Sequence, residues 1–298
     1  MATPQAAFDA AELDELRIPF GARLLQLIRK QPLGAAGAFV VIIMGLAAIF
    51  AGVISPYNPV ANDLASMLEP PDASHWMGTD EFGRDILTRV MYGARTALTI
   101  GLTAAFLGAT GGLILGVASA YFGGLFDLVS QRIVDVFMAF PLIIMALAVV
   151  ATLGPGTENV IIAITIPFVP QCARVVRSSA LAIREIPYVD AARALGFSDT
   201  RIILRHMVPN VMAPYLIMLS TFVGQAILLE AVLSYLGMGV QDPTPAWGLM
   251  LKGGAEEFLE SAPWVSIFPG LAISFAVFGF NLFGDGMRDV LDPRLRRD

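Results

Sequence analysis

Few side chains in this sequence have the type and spacing to do chemistry. His75, Asp80 and Asp85 fall within one short polar stretch. Two carboxylates and an imidazole are plausible divalent-metal donors, but one histidine with carboxylates makes a weak constellation. The same stretch also reads as turn and capping chemistry: Gly78 and Gly83 permit tight turns, and Thr79 or Asp80 is placed to cap a helix. His206 sits beside Arg205, in a setting suited to a polar face rather than a general base. Cys172 is the only cysteine, so no intrachain disulfide forms, and it reads as a small buried apolar residue. The chain has no G-x-x-x-x-G-K-[ST], no G-x-S-x-G, no H-E-x-x-H and no paired cysteines. We therefore assign no catalytic residue, no metal ligand and no cofactor site to this polypeptide.

The elements that must carry these residues are almost all apolar. Of 298 residues, 56% are hydrophobic and 15% charged, and the mean hydropathy is +0.70. A soluble domain carries about 25% charged residues. Uncharged runs of about 20 residues cross a membrane as helices. Six such runs occur: Leu33 to Ile54, Thr96 to Phe122, Ile133 to Thr152, Asn159 to Ala173, Val211 to Leu229 and Trp264 to Gly284. The expected fold is an all-α polytopic membrane bundle of six transmembrane helices. A net charge of −6 without a basic block excludes a nucleic-acid partner.

The expected organisation follows the spans. Residues 1–32 form an N-terminal segment. Residues 33–95 hold the first span, a long polar loop and an amphipathic interfacial helix over Asp85–Arg95. Residues 96–285 form the core, with a polar loop at 174–209, and residues 286–298 form the tail. Pro167 and Pro170 make the fourth span short. In the second, Gly108, Gly112 and Gly116 share one face and permit close helix packing. Gln171, Gln225 and Glu230 lie in or beside spans. Such groups either serve function or make interhelical hydrogen bonds. Asp285, Arg288 and Asp289 follow the last span and suit pairing or capping.

Fifteen of the 19 Lys and Arg residues fall on one side if the amino terminus is cytoplasmic. The positive-inside rule then places both termini and the 174–209 loop in the cytoplasm.

Within that loop, Tyr188 to Asn210 is a polar island. Pro187 suits a helix start, Ala191, Ala192, Ala194 and Leu195 favour helix, and Gly196 suits a left-handed stop. Ser198 is placed to cap a second short helix, which Pro209 ends. This helix, glycine turn and helix resembles the EAA loop of ABC importer permeases. Asp190, Ala191, Ala192, Gly196 and Pro209 keep the motif's spacing, with Asp for Glu at 190, His206 at its Ile position and Val208 at its Leu position. Three further stretches resemble the peptide and nickel branch of that family: H-W-M-G-T-D-E-F-G-R-D from His75, E-A-V-L-S-Y-L-G-M-G-V-Q-D-P from Glu230, and F-N-L-F-G-D-G-M-R-D-V-L-D-P-R from Phe280.

The resemblance implies a C-type permease subunit for dipeptides or oligopeptides; nickel complexes, glutathione and opines are the same branch's alternatives. It implies a homologous second permease, cytoplasmic ATPase subunits that bind ATP and Mg, and an extracytoplasmic solute-binding protein. It further implies that Asp190, Ala191, Ala192, Arg193, Gly196, Arg201 and Pro209 couple to the ATPase. It names no substrate-binding residue. The rival is a stand-alone secondary transporter or channel, for which the Pro-interrupted fourth span is the best sign. The topology is testable by labelling introduced cysteines: one at Ala194 should react only from the cytoplasmic side, and one at Asp72 or Glu257 only from outside.

Overall fold

The computed structural model describes Gly21 and residues 28–291. The N-terminal arginines 17 and 23, and Arg294, Arg296 and Arg297 of the expected tail, lie outside the described residues. Among the described residues the fold is carried by α1 Pro32–Ile54, α2 Ile86–Phe122, α3 Gly124–Met138, α4 Leu142–Leu153, α5 Thr157–Arg184, α6 Pro187–Ala194, α7 Asp199–Ile202, α8 Met212–Tyr235, α9 Trp247–Glu257 and α10 Trp264–Leu291. Among the described residues there is no strand. α1, α2, α5, α10 and the helical run ending in α8 are long and apolar enough to cross a membrane.

Three expected boundaries change. The third span is two helices, α3 and α4, bent by 90°. Pro141 explains the break: the residue before a proline avoids helical geometry, and its ring cannot continue the ladder. Among the described residues there are six candidate spans if this bent pair crosses once. The fourth span is not short. α5 runs 28 residues through buried Pro167 and Pro170 to Arg184, as packed membrane helices tolerate when neighbours cover the freed carbonyls. The expected 174–209 loop accordingly narrows to the segment after Arg184. Residues 86–95 are not a separate interfacial helix. They are the first turns of the 37-residue α2, with Ile86, Thr88 and Arg89 buried.

The core is built on close helix approach. A Cβ at Gly108 would lie 2.5 Å from the Phe168 Cβ of α5. One at Gly112 would collide with Cys172 and lie 2.8 Å from the Ala173 nitrogen, and one at Gly116 would lie 2.7 Å from the Ala173 oxygen. α2 and α5 thus touch backbone to backbone. A second crossing, unseen in the sequence, joins α1 to α10: Gly34 faces Gly286, and a Cβ at Gly37 would lie 2.7 Å from the Gly279 oxygen. α8 completes the bundle. It packs Ile227 on Gly101 of α2, stacks Phe222 on Phe168 of α5 at 4.1 Å, and sets Gly224 against Phe280 of α10.

Gly112→Ala should lower the thermal stability of the purified subunit, by about 1–3 kcal/mol if it acts as ordinary overpacking. Gly45→Ala, where nothing lies within 4 Å of the new methyl, should be neutral. Equal melting of the two variants in a detergent thermal-shift assay would show that α2 and α5 do not need the glycines.

Candidate functional site

The hairpin between α5 and α8 is built by local rules. Pro187 opens α6, where its missing N–H is not needed. Gly196 closes it with φ of +76°. The Gly196 N–H donates to the Arg193 carbonyl at 2.9 Å and the Phe197 N–H to that of Ala192 at 3.2 Å, satisfying carbonyls that a helix end leaves free. Val189 and Ala192 are buried, whereas Asp190, Ala191, Ala194 and Leu195 are exposed. α6 therefore offers a short outward face with Leu195 at its end.

The hairpin is stitched to the end of α2. The Tyr121 hydroxyl donates to Asp199 Oδ1 at 2.6 Å, and the Arg193 guanidinium lies over the Tyr121 ring, 5.0 Å from its centroid. Arg193 also lies 3.3 Å from Asp190 Oδ1, while Arg201 covers Phe197 at 4.1 Å. From α5, Arg184 donates to the Ala120 carbonyl at 2.8 Å, and Arg177 pairs with Asp127 through two bonds of 2.6 and 2.5 Å. Sequence reasoning missed Tyr121 and Asp199. An aromatic at a span end and an acid after a helix cap look ordinary until the fold joins them.

At the other end of α2 lies a buried ion network. Arg84 Nε donates to Asp80 Oδ2 at 2.7 Å, and Arg89 Nε lies 3.5 Å from the same oxygen. Asp242 reaches Arg84 at 3.2 Å and Arg89 at 3.8 Å. Arg89 is only 1% exposed and donates to the Pro59 carbonyl at 2.8 Å. These residues line a cavity of about 280 Å³, together with Glu81, Lys252 and Glu256. Burial raises the Glu81 carboxyl above its ordinary value, and the neighbouring Asp80 charge acts the same way. The suspected metal residues divide. His75 Nδ1 meets Asp85 Oδ1 at 3.0 Å, whereas Asp80 serves the arginines. The helix cap is Asp85, which accepts from the Thr88 N–H at 2.8 Å, not Thr79 or Asp80. Among the described residues no three His, Cys, Asp or Glu side chains are grouped to hold a metal. Glu230 is buried and takes a hydrogen bond from Ser234 at 2.7 Å; Ser234 in turn accepts from the Val240 N–H at 3.1 Å.

A sequence profile described as "Binding-protein-dependent transport system inner membrane component" matches residues 112–297. The chain belongs to this family. A second profile, "N-terminal TM domain of oligopeptide transport permease C", matches residues 20–71. The dipeptide transport system permease protein DppC of Alkalihalophilus pseudofirmus is 42% identical over 269 residues, spanning 90% of this chain and 88% of that one. The glutathione transport system permease protein GsiD of Escherichia coli O1:K1 is 41% identical over 296 residues, spanning 98% and 97%. The fold is similar to that of an inward-facing MetNI methionine ABC transporter, with a TM-score of 0.55 at 18% identity over 68% of this chain and 96% of that one.

In this inner-membrane transport component, three expectations about the hairpin are corrected. Pro209 does not end a helix. The chain stays helical from Asp199 to Tyr235, through a π-turn at Ile203–Met207 and a 3₁₀ turn at Val208–Val211. The wider turn absorbs the missing donor, and the His206 carbonyl is taken by Asn210 Nδ2 at 2.7 Å and the Tyr188 hydroxyl at 2.9 Å. Ser198 holds the cap position but makes no side-chain capping bond. Ala192 points into the chain rather than outward, which leaves Ala191 and Ala194 on the exposed face.

Asp80→Ala should leave Arg84 and Arg89 buried without their shared carboxylate, and breaking such a pair costs about 3–5 kcal/mol. Asp242→Ala should cost much less, because that carboxylate is 53% exposed. Thermal unfolding of the two variants in detergent checks the order, and equal losses would deny Asp80 its central place.

Proposed function

We propose that this chain is the transmembrane subunit of an ATP-driven importer of dipeptides or short oligopeptides. Its relatives named for dipeptide and glutathione transport support that substrate class. Both termini and the α6 hairpin face the cytoplasm, in line with the lysine and arginine bias. ATP and Mg are bound by separate ATPase subunits, and this chain is not catalytic. A second, homologous permease completes the solute pathway. An extracytoplasmic binding protein delivers cargo to residues 56–85 and 236–263.

One observation carries the mechanism: α6 presents an exposed face yet is tied to α2 through Tyr121, Arg193 and Asp199. A short helix of this kind suits insertion into a groove on a partner. Movement of the hairpin would be passed to α2, a 37-residue rod about 55 Å long at 1.5 Å per residue. At its far end α2 carries Arg89, locked to Asp80 and Asp242. Nucleotide and loaded binding protein then bias one two-state bundle from opposite ends. The fourth span that favoured a stand-alone transporter is continuous in α5, and the break falls instead between α3 and α4 of the third.

Reconstitution tests this reading. Vesicles with both permeases, ATPase and binding protein should take up a labelled dipeptide only with ATP. ATP-independent uptake by this chain alone would establish the stand-alone reading instead. Coupling is tested by Gly196→Val. The site is sterically open, so only backbone strain opposes the change, at about 1–2 kcal/mol. Ala191→Glu adds a charge on the exposed face. Both variants should reach normal membrane abundance, retain less than a tenth of the ATPase on co-purification and lose import. Full ATPase retention in both would remove α6 from the coupling role.

A further inference from the structure

α8 is covered on three sides and open on the fourth. Ile227 and Val223 turn to α2, Phe222 to α5, and Gly224 to α10. The side opposite α2 carries Gln225 and Leu228, both exposed, with half-buried Thr221 one turn away. On α10, Ser274, Phe278 and Asn281 form an exposed stripe at spacings of four and three residues. The two stripes meet, because Asn281 Oδ1 lies 3.0 Å from where a Gly224 Cβ would stand. Gln225 is the next residue along the chain.

Both amides lie inside their helices, at least ten residues from either end of α8 or α10. Neither hydrogen-bonds to another described residue. The hydroxyls nearby are spent locally: Ser220 and Thr221 both donate to the Ile217 carbonyl, at 2.9 and 3.0 Å, and Ser274 to that of Gly270 at 2.8 Å. An unsatisfied amide facing hydrocarbon costs several kcal/mol. The uncovered faces of α1 and of the apolar part of α2 follow that rule. α1 exposes Phe39, Ile42, Ile43, Ile49 and Val53 and carries no charged or amide side chain. Between Thr96 and Phe122, α2 exposes Leu102, Phe106, Leu107 and Ile114, again with no charge or amide. Gln225 and Asn281 therefore belong on a face that meets water or polar solute.

We infer that the Gln225–Asn281 face of α8 and α10 lines the solute pathway, and that its two carboxamides hydrogen-bond the peptide groups of passing cargo. This rests on the importer reading above and adds the residues that meet the substrate. A carboxamide both donates and accepts, so it matches the N–H and C=O of a peptide bond in either chain direction. It carries no charge, so it holds cargo without trapping it. Gly224 keeps the place between the two amides clear, since any side chain there would crowd Asn281.

The test uses the assembled transporter, with this chain carrying Gln225→Cys or Asn281→Cys. The native thiol, Cys172, is buried and gives no background. A hydrophilic, membrane-impermeant methanethiosulfonate should modify both introduced cysteines in open membranes at least tenfold faster than Leu102→Cys or Ile43→Cys on the lipid faces. Saturating dipeptide with binding protein and ATP should slow that modification. Separately, Gln225→Leu with Asn281→Leu should cut dipeptide uptake at least tenfold at unchanged membrane abundance and ATPase co-purification, and Gln225→Asn should restore part of it in the single-site series. Rates at Gln225→Cys and Asn281→Cys as slow as on the lipid faces would overturn the inference, placing the amides in a dry permease–permease contact. So would normal uptake by the double leucine variant. Reactive cysteines without protection by dipeptide, in a complex whose wild type takes up no dipeptide, would instead overturn the peptide reading and leave the wet face standing.

Discussion

Backbone contact between α2 and α5 is the constraint on which the rest of this structure depends. In lipid there is no gain from hiding apolar surface against apolar surface, so helices associate through packing and polar contacts. Gly108, Gly112 and Gly116 let α5 come within atomic contact of α2 along three turns. That approach brings Arg177 to Asp127 and Arg184 to the Ala120 carbonyl at the hairpin end. It also sets the height of α8, whose Phe222 stacks on Phe168 of the same crossing. A wider separation would leave these charged groups unpaired and open a void under the stacked rings.

The polar chemistry is concentrated at the two ends of α2. At one end, Tyr121 takes Asp199 and Arg193 from the hairpin. At the other, Arg89 is held by Asp80, Asp242 and the Pro59 carbonyl. The loop after α8 is carried to that network by a chain of contacts from Glu230 through Ser234 to Val240. Buried charges of this kind add little net stability, but removing one partner is costly. They therefore fix the relative placement of distant segments: Arg89 ties residues 59, 80 and 242 to the start of α2. A helix with defined polar clasps at both ends can pass a movement along its length, as a helix packed only by apolar contacts cannot do with the same definition.

Much of this was legible in the chain itself. Runs of uncharged residues identify the spans because each backbone amide in lipid needs an internal partner, and only a helix provides one locally. The α6 helix and its left-handed Gly196 follow from residue types at fixed offsets, since capping is decided within a few residues. The spacing of Gly108, Gly112 and Gly116 marks one helix face, though not the helix that covers it. What the sequence could not decide depended on partners far along the chain. Whether Pro167 and Pro170 break a helix depends on the neighbours around their freed carbonyls, and α5 runs on through both. Pro209 likewise reads as a stop, yet a π-turn and the carboxamide of Asn210 carry the helix past it. The inward turn of Ala192, the pairing of Asp80 with Arg89 rather than with a metal, and the meeting of Gln225 with Asn281 on one open face are set by helix rotation and height. Local sequence determines which residues can share a face; only the packed bundle determines what that face looks onto.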